Sequence, residues 1–255
     1  MCCFSKPVNS VTKTRIFARL VTKELQAIAY QMRLDAPEDL AMILPIPVVR
    51  PAKEDAVDFV NLEKYEDFFK DLEKGFPRPP TKASRTWDSV EAGSLELKVH
   101  SVGSFDASFV PTVADFARLD ARFKLPEGTW DKLPAYKNYG FAVFKLKKGN
   151  SKVHPMAFTF PSEVAKEAKL YFPAVHIHDG EVHEKEEFDH LLYAQTWTGA
   201  AMPGRTWQES SQLASQFSKV EKAKGLIWKE GHVYRREMKG KLKNEDVIAL
   251  PVAAG

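Results

Sequence analysis

Alternating apolar and polar positions predict β-strands near the start of the chain. Between residues 14 and 49 three such segments follow one another, with the sequences RIFARLV, LQAIAYQMRL and LAMILPIPVV. In the second segment Ile28, Tyr30 and Met32 alternate with alanines and a glutamine, which is the period-two pattern of a half-buried strand. Residues 14–49 therefore predict three strands of a sheet.

Helical periodicity replaces this alternation in a few places. The sequence LEKYEDFFKDLEKGF at 62–76 has its apolar residues at helical spacing and stops at Gly75. Thr112, with Asp115 three residues later, resembles a capping box at the start of a second helix. A further amphipathic helix is predicted from Thr206 to Gly225, and residues 125–136 form a short helix or turn. These segments predict three or four helices.

The remaining segments complete the expected fold. The aromatic-rich sequence YGFAVFKLKKGNSKVHPMAFTF at 139–160 predicts a hairpin that turns at Gly149-Asn150. Residues 77–93 hold three prolines and no periodicity, which predicts a loop-rich insertion rather than a domain boundary. We therefore expect an α+β fold, a single domain over residues 1–255, with mostly antiparallel strands in a sandwich-like or strongly curved mixed sheet and three or four peripheral helices.

Composition narrows the class of protein. The chain has 255 residues, 44% of them hydrophobic, and a formal net charge of +3 from 37 basic and 34 acidic side chains. This balance argues against nucleic acid as a partner, which would require a concentrated basic face. We expect no membrane span, because no apolar run approaches the roughly 18 residues that a membrane helix needs. The terminus MCCFSKPVNSVTKTR lacks a signal-peptide core, and two cysteines form no disulfide framework, so we expect a cytoplasmic protein.

The stretch HIHDGEVH at residues 176–183 is the first candidate for chemistry. If Asp179-Gly180 forms a two-residue turn, one face of the hairpin carries His176, His178, Glu181 and His183. Imidazoles on such a face can converge on a metal ion at about 2.0–2.1 Å from each ring nitrogen. His190 has the opposite parity and is a poor further ligand. Two other interpretations stay open, namely solvated or structural histidines and an acid–base site without metal.

The second candidate is the pair Cys2 and Cys3. If Met1 is removed, the α-amino group of Cys2 lies beside its thiol, which suits either an N-terminal nucleophile or a chelating ligand. Thiolate together with imidazole suits copper, zinc or iron rather than magnesium or calcium. Incidental thiols on a loose terminus, or lipid attachment sites, are the alternative.

Our leading hypothesis is a metal-dependent oxidoreductase that acts on a small-molecule substrate. It binds one transition-metal ion, copper first and iron or zinc next, and Glu181 could orient an imidazole. The predicted metal ligands are His176, His178, His183, Cys2 and Cys3, of which Cys2 and Cys3 are also the candidate catalytic residues.

Two hypotheses from other classes remain. One is an N-terminal-nucleophile hydrolase in which Cys2 attacks a carbonyl without any metal. The other is a non-catalytic binding or scaffold protein in which Trp197, Trp207 and Trp228 line a ligand groove, although such tryptophans are more often core packing.

Part of the chain resembles an uncharacterised bacterial domain family of unknown function. LAMILPIPVV at 40–49 is similar to the family's A-M-x-x-P-x-P strand, and VHSVGSFDASFV at 99–110 is similar to its V-G-x-[FY] strand, which a helix follows. The resemblance covers roughly residues 14–175. Many members look secreted and carry cysteines near the mature N-terminus, which resembles Cys2-Cys3 here. The family implies a fold but supplies no activity.

Overall fold

The computed structural model describes residues 2–76, 101–102, 105–120, 124–126, 128–196 and 199–252. The predicted loop-rich insertion at 77–93 and the side chain of Trp197 lie outside these ranges.

Strands dominate the described part of the chain. The strands are β1 (Cys2–Phe4), β2 (Ser10–Leu20), β3 (Leu25–Ala36), β4 (Leu40–Ile46), β5 (Asp58–Asn61), β6 (Ser101–Val102), β7 (Phe105–Val110), β8 (Gly140–Leu146), β9 (Gly149–Lys152), β10 (Met156–Pro161), β11 (Leu170–Phe172), β12 (His176–Ile177), β13 (Lys185–Gln195), β14 (Gln208–Glu209), β15 (Tyr234–Lys243) and β16 (Val247–Ala249). The helix α1 (Phe68–Lys74) is the α-helix of the described residues, and the other helical segments are short 3₁₀ turns.

Two sheets organise these strands. The first has the order β12-β1-β4-β8-β7-β6, and the second has the order β14-β15-β13-β2-β3-β10-β5 with β9 also paired to β3. Most neighbours are antiparallel, but β12 runs parallel to β1 and β13 runs parallel to β2. A short ladder of β11 with β16 completes the pairing. The predicted mostly antiparallel, single-domain architecture is confirmed.

The main core lies between the facing sides of the two sheets. Ile28, Tyr30 and Met32 of β3 belong to it, as do Met42 of β4 and Phe144 of β8. Burying such side chains stabilises the fold by roughly 1.5–3 kcal/mol each relative to exposure. The alternation seen in the sequence of β3 thus sets which of its side chains enter this core.

The opposite face of β3 is buried as well, unlike the half-buried strand that we predicted. Ala27 and Ala29 are fully buried, and they pack in a second cluster with Phe68, Phe69 and Leu72. Small side chains on this face leave room for α1 to approach the sheet. The strand is therefore covered on both sides.

A third cluster covers the outer face of the first sheet. There Ile43, Phe141 and Val143 pack against Phe116 and Tyr136 from 3₁₀ turns of the connection between β7 and β8.

The predicted number of helices is wrong for the described residues. The helix predicted over 62–76 is present as a 3₁₀ turn followed by α1. The segment 206–225 instead contains β14 and two 3₁₀ turns, Ala214–Gln216 and Val220–Ala223. Its serines compete with helical pairing, since Ser210 Oγ donates to the carbonyl of Gln212 and Ser218 Oγ to that of Ala214.

The hairpin predicted at Gly149-Asn150 is also absent. β8 pairs with β4 and β7 in the first sheet, whereas β9 and β10 pair with β3 in the second. The aromatic runs on either side of Gly149 therefore face each other across the core instead of lying side by side. Among the described helices, none is long and apolar enough to span a membrane.

Candidate functional site

The N-terminal strand lies inside the first sheet rather than fraying. β1 pairs antiparallel with β4 and parallel with β12, which places Cys2 opposite His176 and Cys3 opposite Ile177 in backbone register. The Cys3 side chain is fully buried in the third cluster. A nucleophile or an exchangeable metal ligand needs access, so the role predicted for Cys3 has no support in this packing. A role for Cys2 stays a prediction, since the structure describes its strand but not its side chain.

Two polar residues after β15 hold the chain around β12. Asn244 accepts a hydrogen bond from the backbone N–H of His176 at 2.7 Å and donates to the carbonyls of His176 and His183 at 2.9 and 3.0 Å. Its amide therefore ties both ends of the His176–His183 stretch to the end of β15.

Asp246 forms the second anchor. Its Oδ1 accepts hydrogen bonds from the backbone N–H groups of Ala174 and Val175 at 2.8 and 3.1 Å. Its Oδ2 accepts the phenolic O–H groups of Tyr136 and Tyr171 at 2.7 and 2.6 Å. One carboxylate thus joins three separate parts of the chain.

Three histidines form a stack beneath this region, which we call the histidine cluster: His176, His178 and His190. The ring of His176 stacks on those of His178 and His190, with centroids 4.7 and 4.6 Å away. The Nε2 atoms of His176 and His190 are 3.0 Å apart and share a hydrogen bond. Phe188 stacks on His176, and Phe4 of β1 packs against His178.

Burial keeps the histidine cluster uncharged at neutral pH. It lowers the pKa of His176 to about 2, of His190 to about 3 and of His178 to about 4. The neighbouring histidines lower the pKa of His176 and His190 further. Within the described part of the chain, His178 Nε2 and His190 Nδ1 are buried without a hydrogen-bond partner. The cluster therefore has little capacity to stabilise an added proton.

His183 and Glu181 lie outside the histidine cluster, on the surface. His183 Nε2 is 2.9 Å from Asp179 Oδ2, and this contact raises the pKa of His183. Glu181 pairs with Lys132 at 2.9 Å. The two-residue turn that we predicted at Asp179-Gly180 does not form a hairpin, because β12 pairs with β1 and not with the residues after Gly180.

His190 is the member of the cluster that sequence reasoning missed. It was excluded because its parity is opposite to that of His183 along one strand. The alternation within β13 could have identified it. Phe188, His190 and Leu192 occupy every second position of the strand, and all three are buried. Which segment lies over that face depends on tertiary packing.

The predicted transition-metal site is wrong. No group of three or more His, Cys, Asp or Glu side chains in the described ranges is placed to hold a metal ion. The rings of His176, His178 and His190 stack instead of converging, and the Nε2 atoms of His176 and His190 are bonded to each other at 3.0 Å. His183 and Cys3 lie elsewhere, on the surface and in the third cluster respectively.

The fold belongs to an architecture known from solved structures of one viral protein. No protein-family model matches the sequence, and no curated protein does so. The chain is similar in fold to the crystal structure of baculovirus P35, with 16% identity, a TM-score of 0.53, and 95% of this chain and 97% of that chain covered. A mutated baculovirus P35 after caspase cleavage gives 15% identity, a TM-score of 0.53 and coverage of 94% and 100%. At this identity the similarity establishes the fold, and the resemblance to the bacterial family stays a prediction.

These findings correct the predicted function. The solved structures that share this fold are of baculovirus P35, one of them after cleavage by a caspase, and not of a metal-dependent oxidoreductase. The predictions of a metal-dependent oxidoreductase and of a small-molecule substrate as partner are therefore wrong. The alternative of a non-catalytic binding protein fits the fold better.

Proposed function

We propose that this chain is a non-catalytic protein that binds a protease of the caspase class. A solved structure of its structural neighbour P35 shows that protein after caspase cleavage. The observation that carries the proposal is the extent of the fold similarity, which covers 95% of this chain and 97% of P35. A shared supersecondary motif would not extend over both chains in this way. Fold alone does not dictate function, so the proposal needs support from the molecule itself and a direct test.

The interior of the molecule supports a binding role over an enzymatic one. Two of the residues predicted to be metal ligands are inaccessible, since His176 is 4% exposed and Cys3 is fully buried. A general base or nucleophile must reach its substrate within about 3 Å. The histidine cluster is thus structural.

The cavities support the same conclusion. Two of the best-formed clefts of the described residues have volumes of about 120 and 270 Å³. Small-molecule sites in proteins are typically about 300–1,000 Å³ and enclose most of their ligand. A protein partner, which binds a broad surface, makes no such demand.

The scaffold is built for rigidity, which suits a protein that presents its loops to a partner. Two sheets share one core, and Asn244 and Asp246 anchor the chain on both sides of β12 through several hydrogen bonds. A rigid scaffold lowers the entropic cost of binding because little has to become ordered on association. We keep the cytoplasmic location as part of this proposal, since two cysteines in 255 residues fit a reducing compartment.

The test is inhibition of purified proteases by the full chain. The protein is preincubated with each member of a panel of recombinant caspases, and residual activity is measured on a fluorogenic peptide. We expect loss of activity of at least one caspase with an apparent Kd of about 1 µM or tighter. Mass spectrometry of the mixture then identifies any bond of this chain that is cut.

Matched controls separate specific binding from simple substrate behaviour. A serine protease and a papain-like cysteine protease should keep their activity. Heat-unfolded protein should be digested without inhibiting, since the proposal rests on the fold. If no caspase is inhibited and none forms a complex on size-exclusion chromatography at about 10 µM of each protein, the proposal is wrong.

A further inference from the structure

A polar cleft lies at one end of the larger sheet, where the end of β13 and the short strand β14 meet the loop of residues 226–233. Its volume is about 120 Å³. None of its lining residues belongs to the histidine cluster. The polar and aromatic side chains that line it are Thr196, Glu209, Trp228, Glu230, His232 and Tyr234.

The wall formed by the loop is held in place by one buried glutamine. Gln195, the last residue of β13, is fully buried. Its Oε1 accepts the backbone N–H of Trp228 at 3.0 Å, and its Nε2 donates to the carbonyls of Trp228, Gly231 and His232 at 3.0–3.4 Å. The cleft is therefore preformed and does not have to order on binding.

Glycine at position 231 gives the indole of Trp228 the room to pack in this wall. A Cβ atom at Gly231 would lie 2.5 Å from Cε3 of Trp228, which no real side chain tolerates. The absence of a side chain lets the indole pack against the backbone while it lines the cleft. An aromatic ring in such a place attracts cations through its quadrupole.

Two of the hydroxyl groups in the cleft already donate hydrogen bonds within the protein. The hydroxyl of Thr196 donates to the carbonyl of Ala200 at 2.9 Å, and that of Tyr234 donates to Glu209 Oε1 at 3.1 Å. Burial, followed by the bond to Glu209, raises the pKa of Tyr234 to about 12, so this phenol stays a donor to Glu209. Neither hydroxyl has a proton left for a ligand, while both keep oxygen lone pairs.

The tautomer of His232 adds another acceptor. Its Nδ1 lies 2.9 Å from the carbonyl oxygen of Ser210. A carbonyl only accepts, so Nδ1 carries the proton and donates, and in the neutral ring Nε2 then holds a free lone pair.

The charges of the lining residues, like their acceptor atoms, favour a cationic ligand. Glu209 and Glu230 both line the cleft and are well exposed. Lys229 lies 3.9 Å from Glu230 Oε1, and both side chains of that pair are mostly in solvent. Such a surface pair is weak and does not close the cleft.

We infer that this cleft binds the cationic end of a lysine or arginine side chain of a protein partner. Carboxylates, free acceptor lone pairs and an indole match a group that offers several N–H donors and a positive charge. An anion would be repelled by the two carboxylates. The protein nature of the partner rests on the proposed function, whereas the chemistry of recognition rests on the cleft alone.

The test is a titration of the full chain with three small probes. Binding is monitored through the indole N–H signal of Trp228 in ¹H–¹⁵N NMR spectra. The probes are the Nα-acetyl N-methylamides of lysine, arginine and norleucine, and Trp228→Phe assigns the signal. We expect saturable shifts with lysine or arginine at millimolar Kd and none with the neutral norleucine compound. Equal shifts with norleucine, or no shift with either cation, would overturn the inference.

Charge-removing variants make the test specific. Glu209→Gln and Glu230→Gln keep the shape of the side chain, and glutamine at 209 can still accept from Tyr234, so the fold should hold, as thermal unfolding checks. We expect the double variant to weaken binding of the cationic probe about fivefold or more. Glu221→Gln, an exposed glutamate elsewhere, is the matched control and should change nothing. Unchanged affinity in the double variant would contradict the inference.

The titration contains no protease, so its outcome is independent of the proposed function. If caspase inhibition is found but no cationic probe binds, the inference about the cleft fails and the proposed function stands. If the probes bind but no caspase is inhibited, the cleft is a cation site and its partner belongs to another class of protein.

Discussion

His176 and His190 share a single hydrogen bond between their Nε2 atoms at 3.0 Å, across two strands of different sheets. One ring must donate and the other must accept, so the pair cannot carry two protons on these facing nitrogens. His178 also stacks on His176, and its Nε2 atom is buried without a hydrogen-bond partner in the described part of the chain. The pair therefore couples the packing of β12 against β13 to pH.

We predict that the protein becomes less stable as the pH falls below about 6.5, the ordinary pKa of histidine. The folded pKa values of His176, His178 and His190 lie at about 2, 4 and 3, below the unfolded value of about 6.5. The unfolded chain therefore binds more protons between about pH 6.5 and 4, and each histidine removes up to about 1.4 kcal/mol per pH unit there. Above about pH 6.5 this penalty is absent. Urea unfolding over this range measures it.

A pair of variants assigns this pH dependence to the buried rings. His190→Gln removes one titrating group, so its stability should depend less steeply on pH. His183→Gln removes an exposed histidine whose pKa is raised by Asp179 and should leave the acid slope in place. Identical slopes for His190→Gln and the unaltered protein would contradict the prediction.

We predict that Asp246→Ala strongly destabilises the protein. The change removes the acceptor of two backbone N–H groups and two phenols. The N–H groups of Ala174 and Val175 and the phenol of Tyr136 lose this partner, while the Tyr171 hydroxyl can still donate to the carbonyl of Pro45 at 3.0 Å. We expect a loss of about 3 kcal/mol or more in the free energy of unfolding. The neighbouring Glu245→Ala removes only a surface pair with Lys243 and should cost less than about 0.5 kcal/mol. Comparable losses for the two variants would count against the anchor role of Asp246.

We predict that Asn244→Asp loosens the stretch of residues 176–183 without unfolding the sheets. A carboxylate at 244 can still accept from the N–H of His176 but can no longer donate to the carbonyls of His176 and His183. Hydrogen exchange followed by mass spectrometry should show faster exchange in peptides covering this stretch, while peptides from β2 and β3 stay protected. Unchanged exchange around His183 would disprove this local effect.

We predict that Gly140→Ala overpacks the start of β8. An added Cβ would lie 2.6 Å from Cε2 of Phe109 and 2.8 Å from Cγ1 of Val48. Overpacking of this kind costs about 1–3 kcal/mol. Gly204→Ala is the control, because nothing lies within 4 Å of a Cβ there. Thermal unfolding of both variants checks the difference, and a neutral Gly140→Ala would contradict the contact.

The sequence predicted correctly those features that depend on residues close together in the chain. The strand period of β3 and the helical spacing around α1 were readable because each depends on neighbours within the same element. The helix predicted over 206–225 failed because serines there bind backbone groups locally and β14 joins β15. The hairpin at Gly149 failed because its strands find partners in two different sheets.

By itself the sequence determined the strand-rich single domain, the alternating core faces and the position of α1, since these follow from local periodicity and hydrophobicity. Only the tertiary structure decided that β1 lies between β4 and β12, that His190 rather than His183 joins His176 and His178, and that Asn244 and Asp246 anchor this region. The physical reason is that these contacts join residues far apart in the chain. Parity along a strand says which face a side chain occupies, but it does not say which segment covers that face.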